Sequence, residues 1–132
     1  MDLSAFEKAA EEGSLLSLKD PAGKALLQDN GNPVTIMLAG TESPRWTKAM
    51  DNLQNRLMAS KEKRDAHDLR NDRASLLAAV TLDWDGIVVD GKPLQYTPAE
   101  AKKLYIRFKW LADQVDSFIA AKENFLPASS AD

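Results

Sequence analysis

The sequence predicts an α+β fold that is predominantly helical, with a small N-terminal β-meander followed by a helical bundle. A short extended excursion lies between helices. Three observations carry this expectation. Turn residues cluster before residue 41, no Gly or Pro falls between Arg45 and Asp85, and a second strongly capped helical pattern begins at Thr97. At 132 residues, with 44% hydrophobic and 28% charged side chains, the chain has the size and composition of one folded domain. The expected layout is a single domain over 1–126 with a mobile tail at 127–132. Within the domain, 13–40 forms the meander, 43–82 a helical region, 83–96 a turn or extended joint, and 97–126 a C-terminal helical region.

Ser4 precedes Glu7 by a capping-box spacing, and the helix formers that follow stop at Gly13. A short N-terminal helix is expected there. From Leu15 to Leu38, short apolar pieces alternate with the turn sequences Asp20-Pro21-Ala22-Gly23 and Asp29-Asn30-Gly31-Asn32-Pro33. The best strand is Val34 to Leu38, with Val34, Ile36 and Leu38 on one face. Ser43 and Pro44 then supply an N-cap and a first-turn proline. Trp46, Met50, Leu53 and Leu57 follow at helical spacing, and Leu69, Leu76, Leu77 and Val80 restore an apolar face further on. Between them, Lys61 to Asp68 is almost wholly polar, which favours a break between two helices near 59–68.

In the joint, Ile87-Val88-Val89 is β-prone and Asp90-Gly91 is a turn pair. Thr97-Pro98-Ala99-Glu100 then starts a helix with Leu104, Phe108, Leu111, Val115 and Phe118 on one seam. Tyr105, Ile106, Trp110 and Ile119 lie off that seam. A helix apolar on two sides is either deeply buried or shared with another chain, so these four are the candidate partner-binding residues.

Charge and composition bear on the classes of function. A formal charge of −3 disfavours nucleic acid, the lack of cysteine removes disulfides and thiolate metal sites, and no apolar run is long enough to cross a bilayer. The N-terminus has no secretory pattern, which suits a cytosolic protein. His67, the single histidine, sits in a charged stretch and reads as a solvated surface residue. Asp83, Asp85 and Asp90 invite a calcium reading, but Ile87 and Val88 occupy the positions where an EF-hand loop needs a ligand and a glycine. Turn and cap roles suit these aspartates better. The basic residues of 61–64 are interleaved with Glu62, Asp65 and Asp68, which makes that stretch a solvated face. Trp46 and Trp84 are expected in the core, while Trp110 fits either a core or an interface. No catalytic residue, metal or cofactor is assigned.

The order of these pieces resembles the tail assembly chaperones of long-tailed (siphovirus-like) bacteriophages and prophages. The similar segments are Leu15 to Gly23, Gly31 to Ile36, Gly40 to Ser43, Leu76 to Ala79, Trp84, Asp90 to Leu94, Leu104-Tyr105, Trp110-Leu111, Gln114 to Ile119 and Phe125-Leu126. The resemblance implies a non-enzymatic factor of the bacterial host cytoplasm that is absent from the mature virion. Its implied partners are the tape measure protein, which it shields, and the tail tube protein, whose subunits it helps recruit; a homo-oligomer is also possible. In such families a longer product often arises by frameshifting, and this chain would be the short form. The alternative is a structural minor tail or head-tail joining protein retained in the particle. A more distant third reading is a small enzyme using the Asp83, Asp85 and Asp90 loop with a metal.

Overall fold

The computed structural model describes residues 2–60 and 63–127. The fold is α+β and predominantly helical, with α1 at Ser4–Glu12, β1 at Ser14–Ser17, β2 at Thr35–Leu38, α2 at Pro44–Ala59 and α3 at Ala66–Ala79. There follow β3 at Thr81–Asp85, β4 at Val88–Val89, β5 at Lys92–Pro93, α4 at Pro98–Arg107, α5 at Lys109–Ala120 and a 3₁₀ turn at Lys122–Phe125. A three-stranded antiparallel sheet in the order β1-β2-β3 forms one side, and β4 and β5 make a separate hairpin. The core runs through all of it, from Ala10 and Leu16 through Ile36, Leu38, Leu77 and Val80 to Leu104, Val115, Ile119 and Phe125.

The first helix starts differently from expectation. Ser4 lies inside α1, and the preceding Asp2 takes the capping role, its Oδ1 accepting from both the Ser4 amide and the Ser4 hydroxyl. Asp2 is the better acceptor because it is charged and sits ahead of the first turn. The helix ends at Gly13, whose φ of 91° and ψ of 176° suit glycine alone. Close packing adds to this, since a Cβ here would stand 2.7 Å from the Leu38 carbonyl oxygen.

The sheet draws on more of the chain than the 13–40 segment. Only β1 and β2 come from there, and the third strand is supplied by 81–85, which pairs Ile36 with Trp84 and Leu38 with Thr81. Thr81 and Leu82 therefore belong to a strand and not to the end of a 43–82 helical region. A period-two alternation, with Leu82 and Trp84 separated by Asp83, is the sequence signature of this strand. The remainder of 13–40 folds back around a ring of backbone bonds. Leu18 N–H donates to the Val34 carbonyl, Leu26 N–H to Leu18, and Val34 N–H to Leu26. This closure satisfies the backbone of a turn-rich stretch that the sheet itself does not reach.

Ser43 is an N-cap as expected, buried and accepting from the Trp46 amide at 3.2 Å while its hydroxyl donates to the Gly40 carbonyl. The helical region then breaks where the polar stretch foretold, between Ala59 and Ala66. Asp65 and Asp68 form a capping box at the start of α3. Leu57 and Leu69 are exposed, so the two apolar faces do not extend to this end of the hairpin. Arg64 pairs with Asp72, and His67 is exposed beside Asn71. Lys61, Glu62 and the expected tail beyond Pro127 lie outside the described residues.

The C-terminal region is not one continuous helix. It breaks at Phe108, with φ −113° and ψ 90°, although no Gly or Pro marks the place. The cause is the double apolar stripe: a straight helix cannot turn both stripes to one core. The break lets α4 bury Leu104 and Tyr105 while α5 independently buries Leu111, Ala112, Val115 and Ile119.

Gly13→Ala combines a backbone conformation closed to L-residues with a contact against backbone, and is expected to destabilise the fold by at least about 2 kcal/mol. Equilibrium urea unfolding checks this. A loss within a few tenths of that of an exposed alanine substitution would show that the α1–β1 junction relaxes freely.

Candidate functional site

An open groove of about 1230 Å³ is formed by three sequence-distant segments. One wall is the turn-rich stretch carrying Leu18, Leu26, Leu27 and Asp29, and the other runs from Asp83 through the β4–β5 hairpin to Tyr96. The floor is the α4–α5 break, with Leu104, Phe108, Trp110 and Leu111. Leu27 and Val88, both in the lining, are each 61% exposed.

Each wall is held by specific bonds. Gln114 on α5 accepts from the Lys19 amide at 2.8 Å and donates to the Lys19 carbonyl at 2.9 Å, which fastens the turn-rich wall to the floor. Gln28 bridges the walls, its Nε2 donating to the Pro33 carbonyl and to Asp85 Oδ2, both at 3.1 Å. Gly86 permits this approach, because a Cβ there would lie 2.5 Å from the Gln28 side chain. On the opposite wall, Trp84 Nε1 donates to the Leu94 carbonyl at 2.7 Å, and its ring meets Tyr96 edge-on at 5.1 Å.

Behind the wall stands Thr81, only 1% exposed. Its hydroxyl donates to the Leu77 carbonyl and lies 2.8 Å from the Tyr105 hydroxyl, while its carbonyl accepts from the Tyr96 hydroxyl at 2.6 Å. One residue thus joins α3, β3, α4 and the segment leading to α4. Burial pushes the Tyr105 hydroxyl well above the ordinary tyrosine range, and burial likewise raises Tyr96.

The four candidate partner-binding residues do not form one surface. Trp110 lines the groove, in edge contact with Phe108 at 6.4 Å. Tyr105 and Ile119 are 3% and 1% exposed and serve the core, and Ile106 packs partly buried against it. The correction follows from the break at Phe108, which turns the two halves of the stripe in different directions. The residues the sequence reading missed are Leu27, Val88, Leu94 and Phe108. A signal existed for two of them: in the runs Leu26-Leu27 and Ile87-Val88-Val89, adjacent extended residues must face opposite ways, so one member of each run points outward. Trp46 and Trp84, expected in the core, are partly buried against it.

The three aspartates of the joint have separate duties. Asp83 Oδ1 accepts from the Trp84 amide, Asp85 holds Gln28, and Asp90 makes a two-pronged pair with Arg107, both bonds at 2.9 Å. That pairing holds the Asp90 carboxyl below the usual carboxylate range. Among the described residues no cluster of His, Cys, Asp or Glu is arranged to hold a metal ion, and no helix is long and apolar enough to cross a membrane. No protein-family model, curated protein or solved structure matches this chain.

Thr81→Val strands the buried Tyr105 hydroxyl, with an expected loss of about 1–3 kcal/mol, whereas Tyr105→Phe leaves Thr81 bonded to Leu77 and costs about 1 kcal/mol. The double variant should lose less than the sum, since the two groups share one bond. Urea unfolding of the cycle measures this, and strict additivity would contradict the shared bond. Stability should also fall as pH rises above about 10, because the unfolded chain then releases tyrosine protons that the folded one retains. Tyr105→Phe should reduce that fall, and an unchanged alkaline profile would contradict the burial effect.

Proposed function

We propose that this chain is a tail assembly chaperone of a long-tailed phage or prophage. It acts in the bacterial host cytoplasm, shields the tape measure protein, helps recruit tail tube subunits, and leaves before the virion is complete. It is not an enzyme. The observation that supports this reading best is the open apolar groove, which is the kind of surface that accepts the apolar stripe of a helical client. At about 1230 Å³ it exceeds the usual size of a small-molecule site, about 300–1,000 Å³, and suits a polypeptide segment. The order of turns and apolar positions that resembles the family also supports it, and several of those positions build the groove: Leu18, Val34, Trp84, Leu94 and Trp110.

The mechanism under this reading is reversible burial. The client stripe covers Leu27, Val88, Phe108 and Trp110, and removing that apolar area from water stabilises the complex at about 25 cal/mol per Å² before the cost of association. No nucleotide is required. Release follows when the client finds a larger apolar surface in the growing tail.

Co-expression with the tape measure protein of the same genome is the test. The tape measure protein should be several-fold more soluble with this chain than without it, and the variant L27S/V88S should lose most of that gain while keeping its circular dichroism. Equal solubility in all cases overturns the proposal. So does finding this chain as a stoichiometric component of purified virions, the outcome expected of a minor tail or head-tail joining protein.

A further inference from the structure

The groove is as distinctive in charge as in shape. Its lining includes Asp20, Asp29, Asp83 and Asp85, and among the described residues it holds no Lys, Arg or His. Asp29 and Asp83 are exposed. The neighbouring cations are not part of the lining: Lys92 and Arg107 line an adjoining cleft, Arg107 is closed by Asp90 although its guanidinium stands 5.0 Å from the centre of the Phe108 ring, and Lys109 is paired with Asp113. Lys19 and Lys24 flank the Asp20 turn, whose carboxylate accepts from the Ala22 and Lys24 amides. The ionisable side chains of the lining itself are therefore carboxylates, and cations around it are engaged with partners of their own: Arg107 with Asp90, Lys109 with Asp113 and Arg45 with Glu11.

An apolar surface bordered by like charges discriminates between partners that have the same apolar stripe. A segment with Glu or Asp beside that stripe would bring like charges together as it seats. One with Lys or Arg there gains attraction during approach and in the complex. The long stems of those residues can lie on apolar surface while their charged heads reach the carboxylates. We infer that the groove selects an amphipathic protein helix whose apolar stripe is flanked by Lys or Arg. This rests on the reading of the groove as a client-docking site and adds the feature by which a client is chosen. It also sets an ionic-strength dependence that apolar burial alone would not produce.

The test uses the full chain and two synthetic helical peptides with the same leucine stripe, one flanked by lysines and the other by glutamates. Binding is read by fluorescence anisotropy of a dye on the peptide. At about 0.02 M salt the lysine peptide should bind at least about tenfold more tightly than the glutamate peptide, and the difference should shrink severalfold at about 0.5 M. The variant D29N/D83N keeps an amide oxygen where Asp83 accepts from Trp84, so it removes charge without removing that bond. It should abolish most of the preference. The variant L27S/V88S changes two exposed residues and should weaken both peptides.

Equal binding of the two peptides, or a preference untouched by D29N/D83N, overturns the charge selection and leaves the groove as a docking site. Failure of both peptides to bind, or binding that L27S/V88S does not weaken, overturns the docking reading itself. Neither result bears on whether the chain solubilises a tape measure protein through another surface, which the co-expression measures separately.

Discussion

Most of what is distinctive in this fold hangs on the bonding of Thr81. The residue stands where α3 ends and β3 begins, and two tyrosines from later in the chain converge on it, Tyr105 at the hydroxyl and Tyr96 at the carbonyl. A buried hydroxyl without a partner is costly, so the arrangement favours one relative placement of α3, β3 and α4 over its near alternatives. The same placement brings Trp84 against Tyr96 and Leu94, which makes the joint a rigid wall and not a loose connection.

The groove follows from that rigidity and from the break at Phe108. Because α4 and α5 each bury their own apolar residues, the elbow between them presents Phe108 and Trp110 to the open side. Leu27 and Val88 are left exposed in the groove's lining. Fixed walls matter for a docking surface, since a partner then does not have to order them on binding. Under the proposed function, the molecule offers a prepared apolar surface whose lining carries carboxylates and no cationic side chain, and a client supplies the matching helix.

Much of the architecture was legible in the sequence because it is written in local chemistry. Ser43 with Pro44, Thr97 with Pro98, and the stop at Gly13 all do what caps and breakers do. The polar stretch after Ala59 separated two helices for the same local reason. What escaped is what depends on distant segments. Thr81 to Asp85 becomes a strand because Thr35 to Leu38 needs a partner. The helix breaks at Phe108 because two apolar stripes must reach one core, and no local breaker records that demand. Of the candidate site, Trp110 was identified and its companions were not, because Tyr105 and Ile119 look the same as Trp110 on a helical wheel until the break assigns them to the core. Asp29 reads as a turn residue and Asp83 as a turn or cap residue, and their common place in the lining of one groove exists only in the folded chain.

The central claim is that a client helix seats in the groove between the turn-rich wall and the β4–β5 hairpin. Amide hydrogen exchange of the full chain, with and without the tape measure protein proposed as its client, tests this most directly. The account predicts slowed exchange in three segments, 26–30, 86–94 and 108–111, with little change in α2 and α3. Protection confined to the α2–α3 hairpin, or absent from the groove while the two proteins remain bound, would contradict it.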